Sequence, residues 1–166
     1  MVMAQPGKQT FFDMREEPSV ALDMRNMEKY RPEAYKDGQE TAEERAAREA
    51  HWDGGKVRYQ HLISFAPGTD PAAGLALSSY WNAPGFVTPR HKHDSDQIQF
   101  VLEGSMIRGN RVFLPGAGVY IPADSPYTFT AGPEGLRVLE FRRAGLFSVE
   151  FTESIPPVRS ARRDDH

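Results

Sequence analysis

The sequence predicts an all-β chain, an antiparallel sandwich or barrel, preceded by a charged and partly helical N-terminal extension. Three observations predict it. From Lys56 onward, short runs of β-branched and aromatic residues alternate with turn pairs such as Pro84-Gly85, Gly109-Asn110, Pro115-Gly116 and Gly132-Pro133. Before residue 55 the composition differs: between Glu28 and Ala50, 12 of 23 residues are charged and none is Val, Ile, Leu or Phe. Finally, 166 residues at 39% apolar content suit one domain with an appendage and exclude wholesale disorder. The expected organisation is an extension over 1–55, a β-barrel over 56–152 and a solvated tail over 153–166.

Taken in chain order, Thr41-Ala42-Glu43-Glu44 reads as a capping box that opens a short helix over 42–52, ended by Gly54-Gly55. The extension also holds Phe11, Phe12, Val20 and Leu22 among charges, as in an arm lying on another surface. Strands are expected over 57–65, 75–81, 97–103, 105–107, 111–114, 119–121, 127–130, 136–142 and 147–152. Gly109-Asn110 is a two-residue hairpin loop in which Gly supplies the positive φ.

Charge and composition exclude several functions. The formal charge of −3, with basic residues scattered, argues against nucleic-acid binding. No apolar run approaches the ~18 residues of a membrane span, and the first residues lack the apolar core of an export signal, so a cytoplasmic protein is expected. With no Cys there is no disulfide, no thiolate metal site and no cysteine nucleophile, so any metal must sit on N and O ligands.

The chemistry concentrates in His91-Lys92-His93-Asp94-Ser95-Asp96-Gln97. On extended backbone, residues i and i+2 share a face, so His91 and His93 can hold one cation, and the Gln97 amide oxygen can close a three-ligand face. The bland reading is two surface histidines in a polar loop. Alternation from Gln97 places Gln97, Gln99 and Val101 inward and Ile98, Phe100 and Leu102 outward, as an apolar stripe that the N-terminal arm or a second subunit must cover. His61 reads as a hydrogen-bonded core residue. Arg108, beside the hairpin, either anchors a substrate carboxylate or is solvated, and the turn favours solvent.

The spacing resembles the cupin family. Its first motif is matched by Gly85, five residues, His91-Lys92-His93, three residues, Gln97, six residues and Gly104; the second is partly matched by Gly116, five residues, Pro122-Ala123-Asp124, two residues and Tyr127. The resemblance, over about 56–152, implies a small antiparallel jelly-roll barrel with a metal or ligand site inside, and commonly a homodimer. The two histidines are metal ligands in many members. Three positions depart from the pattern: Gln97 replaces Glu, Tyr127 replaces His and Asp124 replaces Gly. Tyr127 can then coordinate as a phenolate, serve as acid/base or donor, or pack passively.

The expected function is a metal-dependent enzyme acting on a small oxygenated organic substrate, of dioxygenase or isomerase, cyclase or lyase type. Fe, Zn, Ni, Cu or Mn would sit on His91, His93 and Gln97, with Tyr127 as the catalytic residue. Gln99, Trp81, Phe129 and Phe141 are the candidate pocket residues. The alternatives are a binding module without turnover and a metal-free dehydratase or epimerase using Tyr127.

Overall fold

The computed structural model describes residues 2–3, 9–21, 41–43, 46, 50–51, 55–65, 74–143 and 149–152. Of the expected helix over 42–52, residues 44–45, 47–49 and 52 lie outside the described residues, and with them Glu44 of the capping box. The tail over 153–166 and the start of the last expected strand fall outside them entirely. Ten strands run in order: β1 (Val2–Met3), β2 (Val20–Ala21), β3 (Val57–Phe65), β4 (Leu75–Asn82), β5 (Val87–Lys92), β6 (Gln97–Arg108), β7 (Arg111–Phe113), β8 (Gly118–Ile121), β9 (Tyr127–Arg143) and β10 (Glu150–Phe151). They form one curled sheet, ordered β1-β3-β4-β9-β5-β10, with β6 joined to β9, β7 and β8. All pairings are antiparallel except the short β1–β3 contact.

Two expected boundaries dissolve. The strands expected over 97–103 and 105–107 are one strand, β6, and those over 127–130 and 136–142 are one 17-residue strand, β9. Gly132-Pro133 does not end β9, because its pairing with β6 steps from Ala131 to Leu136 and Pro133 withdraws no ladder donor. β6 carries matching irregularities between Val101 and Glu103 and between Gly104 and Met106. Gly104, at φ 70°, lets β6 pass β9 here: a Cβ would lie 2.0 Å from the Gly135 carbonyl oxygen. The Gly109-Asn110 hairpin forms as expected, with Arg108 opposite Arg111.

The curl is extreme along β9. The Gln99 amide nitrogen donates both to the Tyr127 hydroxyl, at 3.2 Å, and to Glu140 Oε2, at 3.1 Å. Thirteen residues separate those partners, which a straight strand would hold ~43 Å apart. The sheet therefore curls around Gln99. Inside it lies a core of Val57, Phe86, Val101, Met106, Ile121, Tyr127, Phe129, Ala131, Leu136 and Val138.

The inner row of β6 changes character as it runs. Gln97 faces Arg142, Gln99 faces Glu140 and Val101 faces Val138, so the interior passes from polar to apolar in one turn of the pleat. The outer row is as expected, with Ile98 47% and Phe100 41% exposed. The described part of the N-terminal arm lies elsewhere. Gln60 on β3 donates to the Met14 and Glu17 carbonyls, and Arg58 donates to Ser19.

Candidate functional site

β5 and the start of β9 bring the histidine pair to Tyr127, because His91 is the register partner of Tyr127. The His91 and His93 rings lie 4.9 Å apart at nearly right angles, and the His91 ring lies 4.3 Å from that of Tyr127. Phe129 stacks beside Tyr127 at 6.5 Å. Both histidines, Gln97, Gln99 and Tyr127 are buried. Asp124 takes φ 58°, the left-handed conformation for which the motif uses Gly, and its N–H donates to the His93 carbonyl. A short polar side chain tolerates this conformation, so the departure at 124 leaves the loop behind His93 intact.

The hydrogen bonds have a direction. His91 Nδ1 donates to the Pro89 carbonyl at 2.7 Å, which leaves Nε2 with a lone pair. Gln99 donates to the Tyr127 oxygen, and the Tyr127 hydroxyl lies 3.2 Å from His93 Nε2, to which it donates in the tautomer that leaves Nε2 with its lone pair. Glu140 accepts from Gln99 and pairs with Arg142 Nε at 3.4 Å, both side chains being buried. The result is a continuous polar path from His93 through Tyr127 and Gln99 to Glu140 and Arg142.

Burial, and then the Glu140 charge, hold the Tyr127 phenol far above its ordinary pKa; the neighbouring Gln97 and Gln99 amides only partly oppose this. It therefore stays protonated at working pH. Burial also lowers His91 to about 4, with repulsion from His93 adding to it and the Pro89 bond opposing it. His91 is thus neutral when folded and protonates more readily when unfolded, so its contribution is complete above pH 6.5 and is lost as pH falls toward 4. Metal-stripped protein should lose up to about 3 kcal/mol over that window through His91. Urea denaturation at pH 7 and pH 5 should show a smaller loss in His91→Asn than in the parent; an equal loss in both would contradict this.

A divalent metal fits the donor set. Gln97 is 2% exposed, and apart from its approach to the Tyr127 hydroxyl its amide makes no hydrogen bond of good geometry, a cost that an ion or ligand would remove. Two imidazoles on one metal at ~2.0–2.1 Å would set their ring centres about 4.5–5.2 Å apart for ordinary angles, and the His91–His93 separation of 4.9 Å falls in that range. No group of three or more His, Cys, Asp or Glu side chains suited to a metal occurs among the described residues, so the third ligand would have to be the amide.

Two expected pocket residues lie elsewhere. Phe141 is 41% exposed on the outer face, opposite Ile98 and Leu77, because the step over 132–135 reverses the inward parity of β9. Leu139 falls on that outer row too. Trp81 pairs with Arg58 and Arg137 and takes the face opposite Tyr80. Phe129 does line the interior. His61 makes a 2.6 Å bond between its Nδ1 and the Tyr59 hydroxyl.

Glu140 and Arg142 are interior groups that the sequence reading does not name, and Arg108, for which the turn favours solvent, lies over the Tyr127 ring. The signal was available for the first two: once Gln97 and Gln99 are set inward on β6, antiparallel pairing forces Arg142 and Glu140 to the same side.

The motif spacing and the curled antiparallel half-barrel together define a cupin-like fold. No family model matches the chain. Among curated proteins it is similar to dimethylsulfoniopropionate lyase DddW of Ruegeria pomeroyi, 30% identical over 102 residues, which cover 58% of this chain and 66% of that protein. The chain therefore spans just under two thirds of that relative's length. Among solved structures, the polyketide cyclase RemF of Streptomyces resistomycificus matches with TM-score 0.48 and 23% identity over 61% of this chain and 75% of that one. The lyase DddQ of Ruegeria pomeroyi matches with TM-score 0.49 and 17% identity over 61% of this chain and 54% of that one. No helix among the described residues is long and apolar enough to cross a membrane.

Proposed function

We propose that the chain is a cupin enzyme that transforms a small oxygenated organic molecule inside the half-barrel. A divalent transition metal, Fe, Zn, Ni, Cu or Mn, would sit on His91, His93 and Gln97, with Tyr127 as proton donor. The observation that carries this reading is the buried Tyr127 hydroxyl, held between His93 and Gln99 beside the buried Gln97 amide. When bound, a cation on three neutral ligands supplies Lewis-acid polarisation of a substrate oxygen. The chain's own residues manage the proton: Tyr127 holds it at its hydroxyl, Gln99 orients that hydroxyl, and the Glu140–Arg142 pair fixes Gln99. Groups that hold and move a proton suit a lyase, isomerase or cyclase more directly than a dioxygenase, and the curated relative is named a lyase.

The test incubates the full chain with a panel of small hydroxy, keto and unsaturated acids and detects products by mass. Protein refilled with each metal in turn should form product from at least one compound, and excess chelator should abolish it. Product formation that survives chelation would contradict the metal and select a second reading, favoured by one observation. The Tyr127 hydroxyl engages the His93 nitrogen that a metal would need, which suits a metal-free dehydratase or epimerase using Tyr127.

The proposal includes a homodimer paired through the outer stripe of Ile98, Phe100, Tyr120 and Phe141, all exposed in the single chain. A single-chain mass in sedimentation equilibrium would contradict it.

A further inference from the structure

We propose that Arg108 is the anion anchor of the interior site, so that the substrate class is a small carboxylate held with its reacting carbon near the Tyr127 hydroxyl. This deepens the reading of the interior as a small-molecule site and rests on it. Beside the Gly109-Asn110 turn, Arg108 would ordinarily extend into solvent. The irregularities in β6 prevent this. Inward positions are odd up to Val101 and even from Met106, which is fully buried, and Arg108 shares the Met106 side. Register places Met106 opposite Ala131 and Ile107 opposite Thr130, which carries Arg108 to the level of Phe129. Its guanidinium carbon accordingly lies 5.4 Å from the centre of the Tyr127 ring.

The charge balance of the interior makes this arginine distinctive. Arg142 is tied to Glu140, and Tyr127 and His91 are uncharged at neutral pH. Among the described residues no carboxylate pairs with Arg108. The Tyr127 ring face is a weaker partner for a partly exposed cation than a bidentate carboxylate. A half-buried guanidinium therefore stands at the candidate proton donor with its planar fork of N–H groups available. One carboxylate satisfies that fork with two parallel bonds and balances its single charge.

The test titrates chelator-treated full-length protein, by calorimetry, with matched carboxylate and amide pairs: propanoate and propanamide, acrylate and acrylamide, lactate and lactamide. In the parent, the acid of at least one pair should bind about tenfold or more tighter than its amide. Arg108→Met should erase that preference and Arg108→Lys should retain part of it, while Tyr127→Phe should retain it in full. Equal binding of acid and amide throughout, or an undiminished preference in Arg108→Met, would overturn the proposal. If circular dichroism shows Arg108→Met unfolded, Arg108→Gln is read in its place. The assay needs neither metal nor turnover, so a failed metal reading leaves it standing. Turnover of a neutral compound at parental rate by Arg108→Met would overturn the anchor and leave the metal reading intact.

Discussion

Tyr127→Phe is expected to lower turnover by about 10²- to 10⁴-fold, the usual contribution of a positioned proton donor, while the barrel stays folded. The ring keeps its place, because Phe preserves the contacts with His91 and Phe129. Only the hydroxyl is lost, and with it the bonds to His93 Nε2 and Gln99. Gln99 retains its bond to Glu140, so the stability cost should be about 1 kcal/mol, or some 2–4 °C in midpoint for a chain of this size. Rate and midpoint measured on the same preparation separate the roles. A passive Tyr127 would leave the rate within about threefold of the parent, and this contradicts its assignment as proton donor.

The double replacement His91→Ala with His93→Ala is expected to abolish uptake of every divalent transition metal. What remains, Gln97 and a protonated phenol, is too weak a donor set to compete with water. The fold should persist, since the apolar core around Val101, Met106 and Leu136 makes no demand on either imidazole. The measurement is elemental analysis of tag-free protein after refilling and desalting. About one equivalent is expected in the parent and less than about a tenth in the double variant. Equal metal in both would mean that the ion sits elsewhere.

Fold and site differ in how far the residues alone disclose them. β3 forms with the bounds its composition suggested, and the inward row of Gln97, Gln99 and Val101 follows directly from alternation. The histidine pair was legible because its spacing is local. β9 was not. A residue-by-residue reading sets Phe141 inward and the charged residues outward, the ordinary rule for a half-buried strand. The rule fails here because this interior is polar at one end, and because the step over 132–135 reverses parity within one strand. For Arg108 the sequence leaves a carboxylate anchor and a solvated side chain both open and favours solvent, because its direction is set by two irregularities upstream and by the curl that carries the end of β6 back over Tyr127. Local pattern reports a strand; only long-range register reports which side of it meets the site.

The central claim is that His91, His93 and Gln97 grip one divalent cation beside Tyr127. Its most direct test is an anomalous-scattering map from crystals of protein refilled with Zn, recorded on both sides of the metal edge. The account predicts one peak per chain, about 2.0–2.1 Å from a nitrogen of each imidazole and at a similar distance from the Gln97 amide oxygen. An empty map at that position, or a peak held by other residues, would contradict it.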